Sequence, residues 1–158
     1  MPATRDVALA GGLAMAVFIA DRLSKAWVLE HLAPLQPPRI DLIGTWLSLE
    51  YAENRGIAFG LLGGLGPLIV LLPMAVAAAV AVLYLRSADP PVWQTVGVGL
   101  LAGGAAGNLL DRWRLGYVVD FIAVGWWPNF NMADSAITIG ALTLIAGWML
   151  LDGTRAHG

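Results

Sequence analysis

Long apolar runs alternate with short polar clusters along this chain, and the lengths of the runs indicate what they form. Crossing hydrocarbon as a helix takes about 20 mostly apolar residues. Leu61 to Leu85, Val92 to Leu110 and Ala136 to Leu151 meet or approach that length without a charge. Val7 to Ala20 is shorter, but it suffices if the helix continues through DRLSK to Leu29, carrying Asp21, Arg22 and Lys25 to its far end. The pattern predicts helices over approximately 7–29, 64–86, 91–113 and 132–152, in a single membrane-embedded domain of residues 1–158. A cleaved signal peptide is the rival reading of the first run. It is disfavoured because MPATRD is weakly basic and charges follow the run where small cleavage-site residues are expected.

The connections differ in kind. SADPP, Ser87 to Pro91, reads as a turn with a proline entering the third helix, which makes the second and third helices a tight hairpin. The segment of approximately 30–60 is longer, and TWLSLEYA within it alternates Leu47, Leu49 and Tyr51 against Ser48, Glu50 and Ala52. That period of two predicts a half-buried strand in a small sheet outside the membrane. Gly60 to Gly66 is a glycine-rich approach to the second helix. Gly103, Gly104 and Gly107, with Ala102, Ala105 and Ala106, are small residues that let helices pack closely.

Composition sharpens this picture. Hydrophobic residues make up 58% of the chain and charged residues only 13%, where a soluble domain is about a quarter charged. There is no cysteine, and the two histidines, His31 and His157, lie far apart, so neither a thiol nucleophile nor a His-based zinc site is expected. A net charge of −2 without a basic run gives no footprint for nucleic acid.

The few polar residues cluster. Residues three and four apart share a helical face, so Asp21 aligns with Lys25, Asn108 with Asp111 and Arg112, and Asn131 with Asp134. By span counting, all three helix ends point to the side of the long connection. Taken alone, Asp21 with Lys25 reads as an ion pair where a helix leaves the bilayer, Arg112 and Arg114 as snorkelling arginines, and Trp126 and Trp127 as interfacial belt residues before the chain-breaking Pro128. Asn108, a full turn deeper, is not explained in that way.

Asp120 and Asp134 are explained least well as structure. Neither has a basic residue within four positions, and Leu115 to Thr154 contains no Lys or Arg. Two carboxylates without cations coexist in a low-dielectric site if they share a proton, because close like charges drive one pKa up. One then acts as base and the other as acid, as in an aspartic protease.

DRLSK (Asp21–Lys25), ENRGIAFG (Glu53–Gly60), GGAAGNLLDR (Gly103–Arg112), VVDFI (Val118–Ile122) and FNMADS (Phe130–Ser135) occur in this order. Over essentially its full length the chain resembles the lipoprotein signal peptidase (signal peptidase II) family of bacterial inner-membrane aspartic peptidases. The resemblance implies an α-helical integral membrane protein with four transmembrane helices, both termini cytoplasmic, a small periplasmic β-sheet and a short periplasmic helix able to cover the active site. It implies that Asp120 and Asp134 are the catalytic pair, cutting a prolipoprotein before its diacylglyceryl-modified cysteine. It places Asn54, Asn108, Arg112 and Asn131 in the substrate pocket and Asp21, Lys25 and Asp111 in the surrounding polar network. No metal or organic cofactor is implied. The partners are the modified prolipoprotein and membrane lipids, around a monomer.

Charge bias argues against that orientation. Arg5, Arg86 and Arg155 fall on the side of the termini, and Arg22, Lys25, Arg39, Arg55, Arg112 and Arg114 on the other, which the positive-inside rule would make cytoplasmic. Arg22, Lys25 and Arg112 each lie near an aspartate, however, and are expected to be tied into a site. Two other classes remain. A small proton-coupled transporter or channel subunit would use the polar residues as a relay, but they gather at one face and no inverted repeat is visible. A Ser-Lys peptidase would need Lys25 as base; the adjacent Ser24 cannot face it on a helix, which leaves Ser135 as the disfavoured nucleophile.

Overall fold

A computed structural model describes residues 1–56 and 66–152. Four helices appear where the apolar runs predict them: α1 (Thr4–Trp27), α2 (Gly66–Arg86), α3 (Val92–Leu115) and α4 (Met132–Gly147). Two spans are long and apolar enough to cross a membrane among the described residues, Thr4–Leu32 and Met132–Leu150. The first reaches that length because α1 runs on into a π-helical turn, Val28–Leu32, closed by Ala33 N–H donating to the Val28 carbonyl at 2.9 Å. A similar turn, Trp148–Asp152, extends α4. Pro91 is the N-cap of α3, one position before the helix, and not its first residue. The expected hairpin of α2 and α3 is joined near its turn by the buried Tyr84 hydroxyl, 3.3 Å from Thr95 Oγ1.

α3 is the central helix, and its small residues explain why. A Cβ on Gly103 would lie 2.5 Å from the Ala14 carbonyl oxygen of α1, and one on Gly104 would lie 2.5 Å from the Ala133 carbonyl oxygen of α4. Close backbone approach supplies dispersion contacts that lipid-facing side chains cannot. The faces of α1 and α4 turned away from α3 carry exposed apolar residues such as Met15, Ile19, Leu142 and Ile145.

The sheet is larger than the sequence pattern predicts. It has four antiparallel strands in the order β1-β2-β3-β4: β1 (Arg39–Ile43), β2 (Leu47–Asn54), β3 (Val118–Val124) and β4 (Trp127–Phe130). β2 is the strand the alternation predicts. β3 and β4 come from the segment between α3 and α4, read from sequence as a motif and a belt of tryptophans. α3 ends at Gly116, whose φ of 78° is left-handed, a conformation glycine adopts without a Cβ penalty. The chain then turns back as β3, and a two-residue turn at Gly125 and Trp126 pairs Val124 with Trp127. Inward-facing Val119 and Phe121 of β3 pack on Val28 and Leu32 of the α1 extension, which anchors the sheet to the helices. The only helical segment of the long connection among the described residues is this extension. The rest of the ENRGIAFG motif, 57–60, and the glycine-rich approach through 65 lie outside the described residues.

Candidate active site

The site lies where the sheet meets the ends of α1 and α3 and the start of α4. Asp120 is central in β3, paired with Ala52 of β2. Just before this pair β2 carries a bulge, in which Glu50 and Tyr51 oppose the single residue Phe121 between the pairs Leu49–Ile122 and Ala52–Asp120. Past the bulge, Asn54 pairs with Val118 and is a diagonal neighbour of Asp120 on the same face. Its amide donates to Asp120 Oδ2 at 3.0 Å.

Asp134 is held by local chain geometry. Asn131 caps α4, its Oδ1 accepting from Asp134 N–H at 2.9 Å, while Asp134 Oδ2 accepts from Asn131 N–H at 3.2 Å. This reciprocal capping box satisfies two helix N-terminal donors and fixes the carboxylate in one pose. Asn131 is fully buried, and its side-chain amide also donates to Asp120 Oδ1 at 2.7 Å. One residue therefore donates to both candidate carboxylates. Asn108 completes the set, donating to Asp134 Oδ1 at 2.7 Å.

No cation bonds either carboxylate among the described residues. The nearby charges are spent on each other. Lys25 Nζ, nearly inaccessible to solvent, reaches Asp111 at 2.8 Å, Asp21 at 3.0 Å and Asn108 Oδ1 at 3.0 Å, so all three of its hydrogens have acceptors. Arg22 pairs with Asp111 at 2.7 Å and Asp21 at 2.8 Å. Two cations against two carboxylates leave this cluster neutral. It also holds the backbone, since Asp21 accepts from Ala133 N–H of α4 and Asp111 from Val119 N–H of β3. Burial first, and then the charge of Asp134, push the Asp120 carboxyl up to about 6, with Asn54 and Asn131 pulling the other way.

Of the residues singled out from sequence, Asp120, Asp134, Asn54, Asn108, Asn131, Asp21, Lys25 and Asp111 fall into one hydrogen-bonded network. Arg112, expected in the substrate pocket, is half-buried and donates to the Asn108 carbonyl at 3.3 Å, with no carboxylate partner among the described residues. Arg22, expected from sequence only to be tied to a nearby aspartate, bridges Asp21 and Asp111. Asp21 and Lys25 do form an ion pair, but a buried one that ties α1 to α3 and α4 and does not simply cap a helix end. Ser24 Oγ donates to the Asp21 carbonyl at 3.0 Å while Lys25 is fully engaged elsewhere, which removes the Ser-Lys arrangement.

The family model for Signal peptidase (SPase) II matches residues 13–150. The chain belongs to the signal peptidase II family. The lipoprotein signal peptidase of Syntrophomonas wolfei is 45% identical over 144 residues, covering 91% of this chain and 94% of that protein. The Pseudomonas aeruginosa enzyme is 39% identical over 153 residues, covering 90% and 89%. Among solved structures, a bacterial membrane enzyme determined by the in meso method at 2.3 Å resolution superposes with a TM-score of 0.77 at 29% identity, covering 94% of this chain and 91% of that one. As a member of signal peptidase II the chain is a membrane peptidase, and the transporter reading is not favoured.

Proposed function

We propose that this signal peptidase II removes the signal peptide of prolipoproteins by aspartic-protease chemistry at Asp120 and Asp134, cutting before the diacylglyceryl-modified cysteine. The observation that carries the reading is Asn131, which donates to both carboxylates while no cation among the described residues bonds either one. Two acids held close by neutral amides, one of them buried, are stable together when they share one proton. The ionised member takes a proton from water as its oxygen attacks the scissile carbonyl, and the protonated member donates to the carbonyl oxygen. Collapse of the tetrahedral intermediate breaks the C–N bond, with a proton passed to the leaving amine. Asn54 and Asn108 keep the carboxylates aimed, and the partly exposed Asp134 and exposed Asn54 mark the side from which the peptide enters.

In this reading all four helices cross the bacterial inner membrane, both termini are cytoplasmic, the sheet is periplasmic, and the enzyme acts as a monomer. The charge bias that opposed this orientation loses weight, because Arg22, Lys25, Arg39 and Arg55 all sit in ion pairs. The diacylglyceryl chains stay in lipid while the peptide lies at the interface, so membrane depth selects the scissile bond. The test compares one preprolipoprotein with and without its diacylglyceryl group, at matched concentration in lipid nanodiscs. Without the anchor, the binding energy of the acyl chains cannot orient the carbonyl, and cleavage falls by orders of magnitude. Equal rates would end the lipid-placement mechanism, and no cleavage of either would end the peptidase assignment.

A further inference from the structure

A groove of about 560 Å³ that neither Asp120 nor Asp134 lines runs between α1 with its extension and α3, with Arg22, Lys25, Asp111 and Arg114 between apolar Phe18 and Leu110 on one side and Ala26, Leu29 and Leu115 on the other. A second cavity of about 420 Å³ adjoins it, sharing Phe18 and Leu110 and otherwise lined by Ala106, Leu109 and Trp113. The order of these walls follows depth. Phe18 is four residues from Arg22 along α1 and Ala106 is eight from Arg114 along α3, which at 1.5 Å per residue are steps of roughly 6 Å and 12 Å. From the guanidinium groups both helices thus run deeper into purely apolar walls, with the highly exposed Trp113 beside Arg114. Tryptophan favours the headgroup level.

One feature gives the groove a ligand preference. The cluster of Asp21, Arg22, Lys25 and Asp111 is neutral, so the exposed Arg114, which has no carboxylate partner among the described residues, leaves this wall positive. Arg22 lines the same groove, but Nη1 and Nη2 are bonded to Asp111 and Asp21 and Nε is closed off from the groove, so Arg114 is the cation that meets a ligand.

We propose that this groove binds one anionic glycerophospholipid, with its phosphate held by Arg114 and an acyl chain laid along Phe18, Leu109 and Trp113. A zwitterionic headgroup would bring its own cation against Arg114, so the site selects anionic headgroups. The lipid sits behind Lys25 and Asp111 and is separate from the peptide's path. The inference uses the membrane placement of the chain but none of its peptidase chemistry.

The test is native mass spectrometry of the delipidated full chain in detergent, titrated with phosphatidylglycerol, phosphatidylcholine or inorganic phosphate. Phosphatidylglycerol should be retained about tenfold more tightly than phosphatidylcholine, the equivalent of one charge-assisted hydrogen bond. Arg114→Gln should abolish the preference without changing cleavage in lipid-free detergent. Ala106→Phe, which fills the apolar cavity, should weaken both lipids. Equal retention of the two lipids by the wild type, or an undiminished preference in Arg114→Gln, would overturn the proposal. Competition by inorganic phosphate alone would show a bare anion site and would overturn it equally. Because the readout is bound lipid, a protein that fails to cleave prolipoprotein can still pass this test.

Discussion

Lys25 and Asn108, 83 positions apart, are joined by a buried 3.0 Å hydrogen bond from Nζ to Oδ1. Asn108 thus receives on its oxygen from a charge cluster that is itself neutral and passes its amide to Asp134 at 2.7 Å. The cluster orients the candidate acid without neutralising it. Lys25→Met should leave Asp21 and Asp111 facing one cation. Breaking a buried pair in this way costs about 3–5 kcal/mol. Thermal unfolding in detergent should show a large loss of stability, and cleavage should fall as Asn108 loses its anchor. An unchanged melting temperature would mean that the cluster is not integral to the fold.

The proposed dyad makes a joint prediction about activity and pH. Asp120→Asn and Asp134→Asn should each slow cleavage by at least about a hundredfold, as loss of an acid or base does, while the protein stays folded. For wild type, kcat/KM should be bell-shaped, with limbs that belong to the pair. The raised Asp120 carboxyl places the basic limb of the pair above the ordinary carboxylate range. Stability carries the matching sign. A carboxyl raised in the folded state stabilises fully below its unfolded pKa, about 4, and loses that contribution as pH rises through the folded value. Asp120→Asn cannot ionise, so it should gain in melting temperature relative to wild type as pH rises from about 4 to about 6 and hold that gain above it. A constant difference across that range would show that Asp120 titrates normally.

Gly104 sets the distance between the helices that carry Asn108 and Asp134. Its added Cβ would lie 2.5 Å from the Ala133 carbonyl oxygen and 2.8 Å from Ile137 Cγ1, so Gly104→Ala must push α4 away from α3. The Asn108–Asp134 bond is next along this contact and should lengthen. We expect kcat to fall by about tenfold or more, with a destabilisation of about 1–3 kcal/mol typical of overpacking. Full activity with lowered stability would separate the helix contact from the site.

The two neighbouring arginines should behave differently. Arg112 donates to the Asn108 carbonyl, whereas Arg114 faces the lipid groove. In a side-by-side assay without lipid, Arg112→Ala should reduce cleavage and Arg114→Ala should not. Equal defects would show that Arg112 has no role through Asn108.

Much of this protein was legible without its tertiary structure, because helices in lipid are specified locally. Run length and small-residue spacing placed α1 to α4, and spacings of three and four put Asp21 with Lys25 and Asn131 with Asp134. The five motifs that resemble signal peptidase II singled out both candidate acids. What sequence could not supply was decided by contacts between distant segments. The alternation in TWLSLEYA predicts a strand but names no partner, and only folding brings β3 beside β2, so that Asn54 reaches Asp120 across 66 positions. The Val118–Val124 run and the glycine turn at Gly125 were available as hairpin signals, but tryptophans that also suit a membrane interface concealed them. The choice of Arg22 over Arg112 as partner of Asp111 is of the same kind. Both arginines belong to motifs next to an aspartate, and sequence distance favours Arg112. Close packing of α1 on α3 through Gly103 and Gly107 brings Arg22 within 2.7 Å of Asp111 instead. Periodicity reports which face a residue occupies, whereas an ion pair or a strand register depends on which other face folding places against it.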